Sequence, residues 1–125
     1  MSQPELPPAI REQLARYDQM QQNLQAVMIQ KQQVEMELSE TGKALEELGK
    51  AADSEVIYKF VGSLLLKVEK VAMVKELTEK KELATTRKLV LAKQEGRFRE
   101  SLKDLQTKID DAVKGKPAAA PPEDQ

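Results

Sequence analysis

Fifteen residues at the centre of the chain, "EVIYKFVGSLLLKVE" from Glu55 to Glu69, constrain the fold more than any other feature. The runs "EVIYKF" and "LLLKV" consist largely of β-branched, aromatic and aliphatic residues, which are typical of strands. Gly62 and Ser63 lie between the two runs and match the Gly-X pattern of a two-residue type II′ turn. The stretch therefore predicts a β-hairpin, which reverses the direction of the chain.

Both flanks of the hairpin predict long helices. Prolines in residues 1–8 predict a flexible N-terminus, and residues 9–49 then contain good helix formers and no proline, with Gly49 as the expected C-cap. Residues 50–70 hold the loop and the hairpin, residues 71–114 predict helix 2, and the Pro-rich residues 115–125 predict a disordered tail. Gly42 and Gly96 interrupt the helices; they either permit bending or are simply tolerated.

Seam residues recur at alternating steps of three and four in both helices, which is the heptad pattern of a coiled coil. The expected seam of helix 1 is Ile10, Leu14, Tyr17, Met20, Leu24, Val27, Lys31, Val34, Leu38, Thr41, Leu45 and Leu48. The expected seam of helix 2 is Val74, Leu77, Lys81, Ala84, Lys88, Leu91, Glu95, Phe98, Leu102, Leu105, Ile109 and Ala112. Two successive three-residue steps around Tyr17 predict local overwinding.

The hairpin decides how the helices pair. Two heptad segments can form a parallel dimer of chains, or fold back within one chain as an antiparallel pair. A chain reversal between helices of matching length favours the antiparallel pair. The charges of the two helices also favour the antiparallel pair. Residues 10–48 hold four bases and seven acids, whereas residues 70–114 hold twelve bases and eight acids, so the helices carry opposite net charges. Pairing Leu48 with Val74 gives a register in which Leu102 lies near Met20, and Ile109 near Gln13 and Leu14.

The predicted hairpin is too apolar to stand alone in water. One face is expected to carry Val56, Tyr58, Phe60, Leu66 and Val68, and the other Ile57, Val61 and Leu65 with Lys59 and Lys67. Because strand edges also carry unpaired backbone groups, several chains are expected to join their hairpins into a shared sheet or barrel. The alternative is a hairpin that only caps its own coiled coil. The expected assembly residues are Val56, Ile57, Tyr58, Phe60, Val61, Gly62, Leu64, Leu65, Leu66 and Val68.

Composition excludes several functions. The 125 residues include no Cys, His or Trp, so the commonest nucleophile, general base and metal-ligating side chains are absent. Because 33% of the residues are charged and 3% are aromatic, few side chains are suited to line a pocket. The segment "VGSLLLK" lacks the phosphate-loop pattern. We expect no enzyme, no metal and no cofactor. A net charge of -1 argues against a nucleic-acid partner, and without a membrane span or signal peptide a cytoplasmic location is expected.

The segment "VIYKFVGSLLLKVEK", with "QQNLQAVMIQKQQVEMEL" before it and "VKELTEKKE" after it, resembles the beta-type subunits of archaeal prefoldins. A single hairpin favours the beta type over the alpha type. The resemblance implies an ATP-independent chaperone in which two alpha and four beta subunits join their hairpins into a double β-barrel. It also implies that the tips of the coiled coils hold unfolded client proteins and deliver them to a group II chaperonin.

The antiparallel reading places both chain termini at the free end of the coiled coil. The expected client-binding residues there are Leu6, Ile10, Leu14, Tyr17, Met20, Leu24, Leu102, Leu105, Ile109 and Val113. Most of them also fit the seam, whereas Leu6, Met28, Ile29 and Val113 lie outside it. Unbranched, polarizable methionine suits a surface that must accept many partners.

Lysines near the end of helix 2 are candidates for the contact with the chaperonin: Lys103, Lys108, Lys114 and Lys116. The alternative is that they only complement the helix macrodipole. A second function also stays open, a structural coiled-coil adaptor that bridges two fixed partners.

Overall fold

The computed structural model describes residues 6–115, which form a helix, two strands and a second helix. Helix α1 spans Pro8–Lys50, strand β1 Ile57–Val61, strand β2 Leu64–Val68 and helix α2 Lys70–Val113. The strands pair antiparallel as one two-stranded sheet. The predicted mainly α fold with one central hairpin is confirmed.

Helix α1 begins at a proline, and helix α2 is followed by a glycine. Pro8 opens α1, where its missing N–H would have no helical partner, and the Pro7 carbonyl accepts the N–H groups of Ile10 and Arg11 at 3.0 Å each. Gly115 follows α2 with a φ of 84°, and its N–H donates to the Ala112 carbonyl at 3.1 Å. This left-handed glycine caps α2.

The predicted C-cap role of Gly49 is wrong. Helix α1 continues to Lys50, and among the described residues positive φ is confined to Gly62 and Gly115. The N–H of Ala51 donates to the Leu48 carbonyl at 3.2 Å. This tightened last turn satisfies a terminal carbonyl without a left-handed residue.

The turn between the strands has the predicted form. Gly62 has a φ of 60°, whereas no described non-glycine residue, Ser63 included, has a positive φ. A type I′ turn needs positive φ at both central residues and a type II′ turn only at the first. The φ values therefore agree with type II′.

The chain divides into two compact units, each of which contains turns of both helices. The hairpin unit comprises residues 30–90, and the described part of the terminal unit comprises residues 6–29 with 91–115. In the hairpin unit Glu35 pairs with Lys88 at 3.6 Å and Glu37 with Arg87 at 3.8 Å. Partner numbers fall along α2 as they rise along α1, so the helices are antiparallel there. Acidic α1 meets basic α2, although exposed ion pairs contribute only about 0–1 kcal/mol each.

The heptad seam supplies the buried core. Every predicted seam residue from Met20 to Leu48 is buried or half-buried, and so is the predicted α2 seam with one exception. The exception is Lys81, which is exposed. An ammonium group loses its hydration when it is buried, so this side chain stays in water.

The predicted seam is wrong near the start of α1. Gln13, not Leu14, is half-buried between Ile10 and Tyr17, and Leu14 is 37% exposed. With Gln13 in place the steps of three and four alternate without a break from Ile10 to Leu48, so the expected overwinding is not needed. Leu14 is predicted in the seam because it is apolar, although alternating steps of three and four lead from Ile10 to Gln13 and then to Tyr17.

Two grooves show which turns of the helices lie side by side in the terminal unit. Met20 lies with Ser101 and Leu105 in one groove, and Leu24 lies with Leu102 in another. The predicted register, with Leu102 near Met20, stays a prediction.

Candidate functional site

One face of the hairpin is exposed and apolar. The register pairs Phe60 with Leu65 and Tyr58 with Lys67, and directly paired residues share a face of the sheet. We call these four residues the free face. All four are exposed, and Phe60 is exposed to 77%. Outside the free face, Val56, Val61, Leu64 and Leu66 are exposed as well.

The opposite face lies toward the chain's own helix α2. Ile57, Lys59 and Val68 are half-buried there, and the Lys59 Nζ forms an ion pair with Glu76 Oε2 at 2.5 Å. The predicted faces are therefore partly wrong, because Leu66 and Val68 share this face with Ile57 and Val61. A two-residue turn puts Val61 directly opposite Leu64, which fixes the alternation of the second strand.

Lys70 ties the loop before the hairpin to the start of α2. Its side chain is 18% exposed, and its Nζ donates to the Ala51 carbonyl at 2.6 Å and contacts Asp53 Oδ1 at 3.2 Å. Within the loop, Glu55 Oε1 accepts the N–H of Ala52 at 2.6 Å. Sequence reasoning missed this tie because a single lysine between a strand and a helix forms no recognisable pattern.

The hairpin presents two open edges. Its two strands pair only with each other among the described residues. Each outer edge therefore offers backbone N–H and C=O groups that another strand could pair with. The open edges and the free face form one continuous candidate assembly surface.

The ten predicted client-binding residues are in three environments. Leu6, Leu14 and Val113 are exposed, and Ile109 is buried. The remaining six are half-buried in the seam: Ile10, Tyr17, Met20, Leu24, Leu102 and Leu105. Without a change in conformation, only the first group offers most of its apolar surface to a partner.

An apolar groove of about 690 Å³ opens in the terminal unit. Its apolar lining includes Leu24, Met28, Ile29 and Leu102, and its polar lining consists of Asp18, Gln21, Gln22 and Gln25. Met28 and Ile29 are exposed, and Arg99 Nη2 lies 3.6 Å from the Met28 sulfur. A second groove of about 330 Å³ lies beside Met20 and Leu105. The terminal unit therefore carries accessible apolar surface beyond its seam.

Three of the four candidate lysines lie within the described residues. Lys103 and Lys108 are exposed on α2, Lys108 lines the second groove, and Lys114 follows the end of the helix. Lys116 lies outside the described residues. The last turn of α2 holds no basic residue, but Lys114 directly follows it and its N–H donates to the Asp110 carbonyl at 3.0 Å, so the macrodipole alternative stays open for this lysine.

Neither described helix combines the length and the continuous apolar character that crossing a bilayer requires.

Comparisons with known proteins agree with this architecture. A family model described as "Prefoldin subunit" matches residues 11–116. The chain is 46% identical over 105 residues to prefoldin subunit beta of Archaeoglobus fulgidus, covering 84% of this chain and 90% of the relative. It is 42% identical to prefoldin subunit beta of Thermococcus onnurineus, covering 87% and 94%.

A solved structure shares the fold. The crystal structure of the prefoldin beta subunit from Thermococcus strain KS-1 aligns with a TM-score of 0.78 and 39% sequence identity. The alignment covers 94% of this chain and 98% of that one. The resemblance to beta-type subunits is confirmed.

Proposed function

The chain belongs to the prefoldin family of chaperone subunits, which is not a family of enzymes, and from that premise we propose that it is an ATP-independent holdase subunit. Its terminal unit holds unfolded client proteins, and its hairpin joins the chain to other subunits. The observation that carries the proposal is that each unit has an exposed apolar surface of its own, on the hairpin in one and beside Leu24 in the other.

The hairpin surface is proposed to bind other prefoldin subunits. Burying the free face would remove Tyr58, Phe60 and Leu65 from water, and burial of one large apolar side chain contributes about 1.5–3 kcal/mol. Pairing of the open edges would continue the sheet into neighbouring hairpins. The proposed assembly contains two alpha-type and four beta-type subunits around a β-barrel body in the cytoplasm.

The terminal unit is proposed to hold clients through apolar contacts. An unfolded chain offers apolar side chains without a fixed shape, so its binder needs exposed apolar surface that adapts. Met28 and Ile29 supply such surface beside the side-chain amides of Gln21, Gln22 and Gln25. Amide groups both donate and accept hydrogen bonds, as the backbone of an extended client does.

Holding is tested with the double variant Met28→Ser and Ile29→Ser, which removes exposed apolar groups and leaves the seam in place. We expect suppression of aggregation of a chemically denatured protein to fall severalfold, because less apolar area is available for contact. The matched control is Met36→Ser, which changes an exposed methionine of the hairpin unit. Unchanged suppression in the double variant, or no suppression by the unaltered chain, would favour an adaptor for fixed partners.

Delivery of clients to a group II chaperonin is proposed to use Lys103, Lys108, Lys114 and Lys116. Charge reversal of Lys103 and Lys108 should weaken binding to the chaperonin and leave aggregation suppression unchanged. Charge reversal of Lys93, which is also exposed on α2, is the control. Equal chaperonin binding by both variants would contradict this role.

A further inference from the structure

Met28 lines the apolar groove of the terminal unit, and its sulfur contacts a cationic side chain. The residue is 41% exposed, so small molecules dissolved in water can reach it. Arg99 of α2 places its Nη2 3.6 Å from the sulfur. A thioether sulfur accepts hydrogen bonds only weakly. The guanidinium group therefore gains little from this contact while the sulfur stays in its reduced form.

Arg99 is kept beside the sulfur by an acidic residue one turn earlier on α2. Its Nε and its Nη2 each lie 2.9 Å from Glu95 Oε2. The Glu95 side chain is only 16% exposed, so its carboxylate is a fixed partner rather than a mobile surface group. A charge-assisted hydrogen bond of this kind favours one orientation of the planar guanidinium group.

The other described methionines do not combine exposure with a cation at the sulfur. Met20 and Met73 are half-buried. Met36 is more exposed than Met28, at 63%, and no residue among 6–115 donates a hydrogen bond to its sulfur. Met36 is therefore the matched comparison for Met28.

A peroxide converts a thioether into a sulfoxide. A lone pair of the sulfur attacks one peroxide oxygen, the S–O bond forms, the O–O bond breaks, and hydrogen peroxide leaves as water. The sulfur loses two electrons and the peroxide gains them. The product is polar and chiral at sulfur, and separate reductases restore the thioether from each of its two epimers.

We propose that Met28 is a methionine oxidation site through which peroxide lowers client holding. An N–H of Arg99 stabilises the negative charge that develops on the peroxide, so oxygen adds mainly on that side of the sulfur. The sulfoxide oxygen then accepts this N–H, and the groove loses an apolar, polarizable group. The loss of holding rests on the proposed function, whereas one-sided oxidation is a property of the chain alone.

The first test measures which epimer forms in the full-length chain. The protein is oxidised with dilute hydrogen peroxide and digested, and its peptides are treated with either of the two epimer-specific reductases before mass spectrometry. One epimer should be in severalfold excess at Met28, with nearly equal amounts at Met36. Arg99→Gln should abolish the excess, and Arg97→Gln, at another exposed arginine of α2, should preserve it. Equal epimers at Met28, or an excess that persists in Arg99→Gln, would overturn the role of Arg99.

The second test measures holding. Aggregation suppression by each variant is compared before oxidation, after oxidation and removal of the peroxide, and after treatment with both reductases. Oxidation should lower suppression severalfold in the unaltered chain and in Met36→Leu, and reduction should restore it. Oxidation should change suppression little in Met28→Leu, because peroxide does not oxidise leucine.

The outcomes separate this proposal from the proposed function. Full suppression by the oxidised unaltered chain, or an equal loss in oxidised Met28→Leu, overturns the control of holding by Met28. If the reduced, unaltered chain suppresses no aggregation, the proposed holdase function fails. The epimer ratio still decides in that case whether Arg99 directs the oxidation of Met28.

Discussion

Two glycines lie in the interiors of the long helices, where glycine is less favourable than alanine. Gly42 lies in α1 and Gly96 in α2, and an added Cβ at either position meets no atom within 4 Å. Both have ordinary negative φ values, so alanine would fit the backbone without strain.

Replacing either glycine should stabilise the chain. Gly42→Ala and Gly96→Ala are each expected to raise the free energy of unfolding by about 1 kcal/mol, the difference in helix propensity. Urea unfolding at a fixed protein concentration measures this. Gly62→Ala should instead destabilise, because its φ of 60° disfavours any residue with a Cβ. A stabilised Gly42→Ala or Gly96→Ala that holds clients poorly would show that the glycine serves bending of the helix.

Gln13 shows how far residue-level reasoning reaches. The composition around Ile10 made Leu14 the natural seam residue, yet the uninterrupted spacing of three and four selects Gln13. Periodicity was the more reliable signal there, because a residue's face of the helix depends on its position and not on its polarity. The Gln13 Oε1 is buried and accepts no hydrogen bond within residues 6–115, which no sequence pattern predicts.

At the scale of elements, the hairpin is held to its own chain through two lysines. Lys59 joins β1 to Glu76 of α2, and Lys70 joins the loop before β1 to the start of α2. A charged hydrogen bond of a part-buried lysine contributes about 1.5–3 kcal/mol before its partial exposure is taken into account.

Lys70→Met should loosen the loop while it keeps most of the apolar contact of the side chain. Amide exchange over residues 51–56 should accelerate severalfold, because the Ala51 carbonyl and Asp53 lose their donor. Hydrogen exchange with mass spectrometry measures this. Lys75→Met, at an exposed position one turn later, should leave the loop unchanged. Equal protection in both variants would mean that the loop does not depend on Lys70.

The elements themselves follow from sequence, whereas their mutual placement follows only in part. The seam from Met20 to Leu48 and the turn at Gly62 were predicted, because heptad spacing and the Gly-Ser pair each act locally. The faces of β2 were predicted wrongly, although the predicted two-residue turn already puts Val61 opposite Leu64 and so fixes which β2 side chains share a face. The helix register does not follow from heptad spacing, because a shift of one seam step keeps the seam on the same face of each helix. The contacts of Lys70 with Ala51 and Asp53 were not predicted, because these residues lie far from Lys70 in sequence.

For the whole molecule, the hairpin predicts that the folded chain associates. Phe60→Lys places a charge at the most exposed apolar position of the free face, and a charge is costly to bury without a partner. We expect the variant to shift from assembled species to single chains in native mass spectrometry, with and without an alpha-type subunit. Helix content should stay the same, because Phe60 lies outside both helices.

Leu83→Lys is the matched control for this experiment. Leu83 is also large, apolar and exposed, but it lies on α2 away from the hairpin. Its variant should assemble like the unaltered chain. Loss of assembly in both variants would indicate a general effect of added charge, and persistence of assembly in Phe60→Lys would contradict the role of the free face.

The lysine contacts at the base of the hairpin bear on how subunits find one another. A strand pair that is already folded and fixed in a single chain surrenders little conformational entropy when it meets its neighbours. Association can then proceed by collision of ready-made surfaces, without a disordered segment having to fold at the contact. In the proposed assembly, the hairpin therefore meets its neighbours as a surface that its own chain already orders.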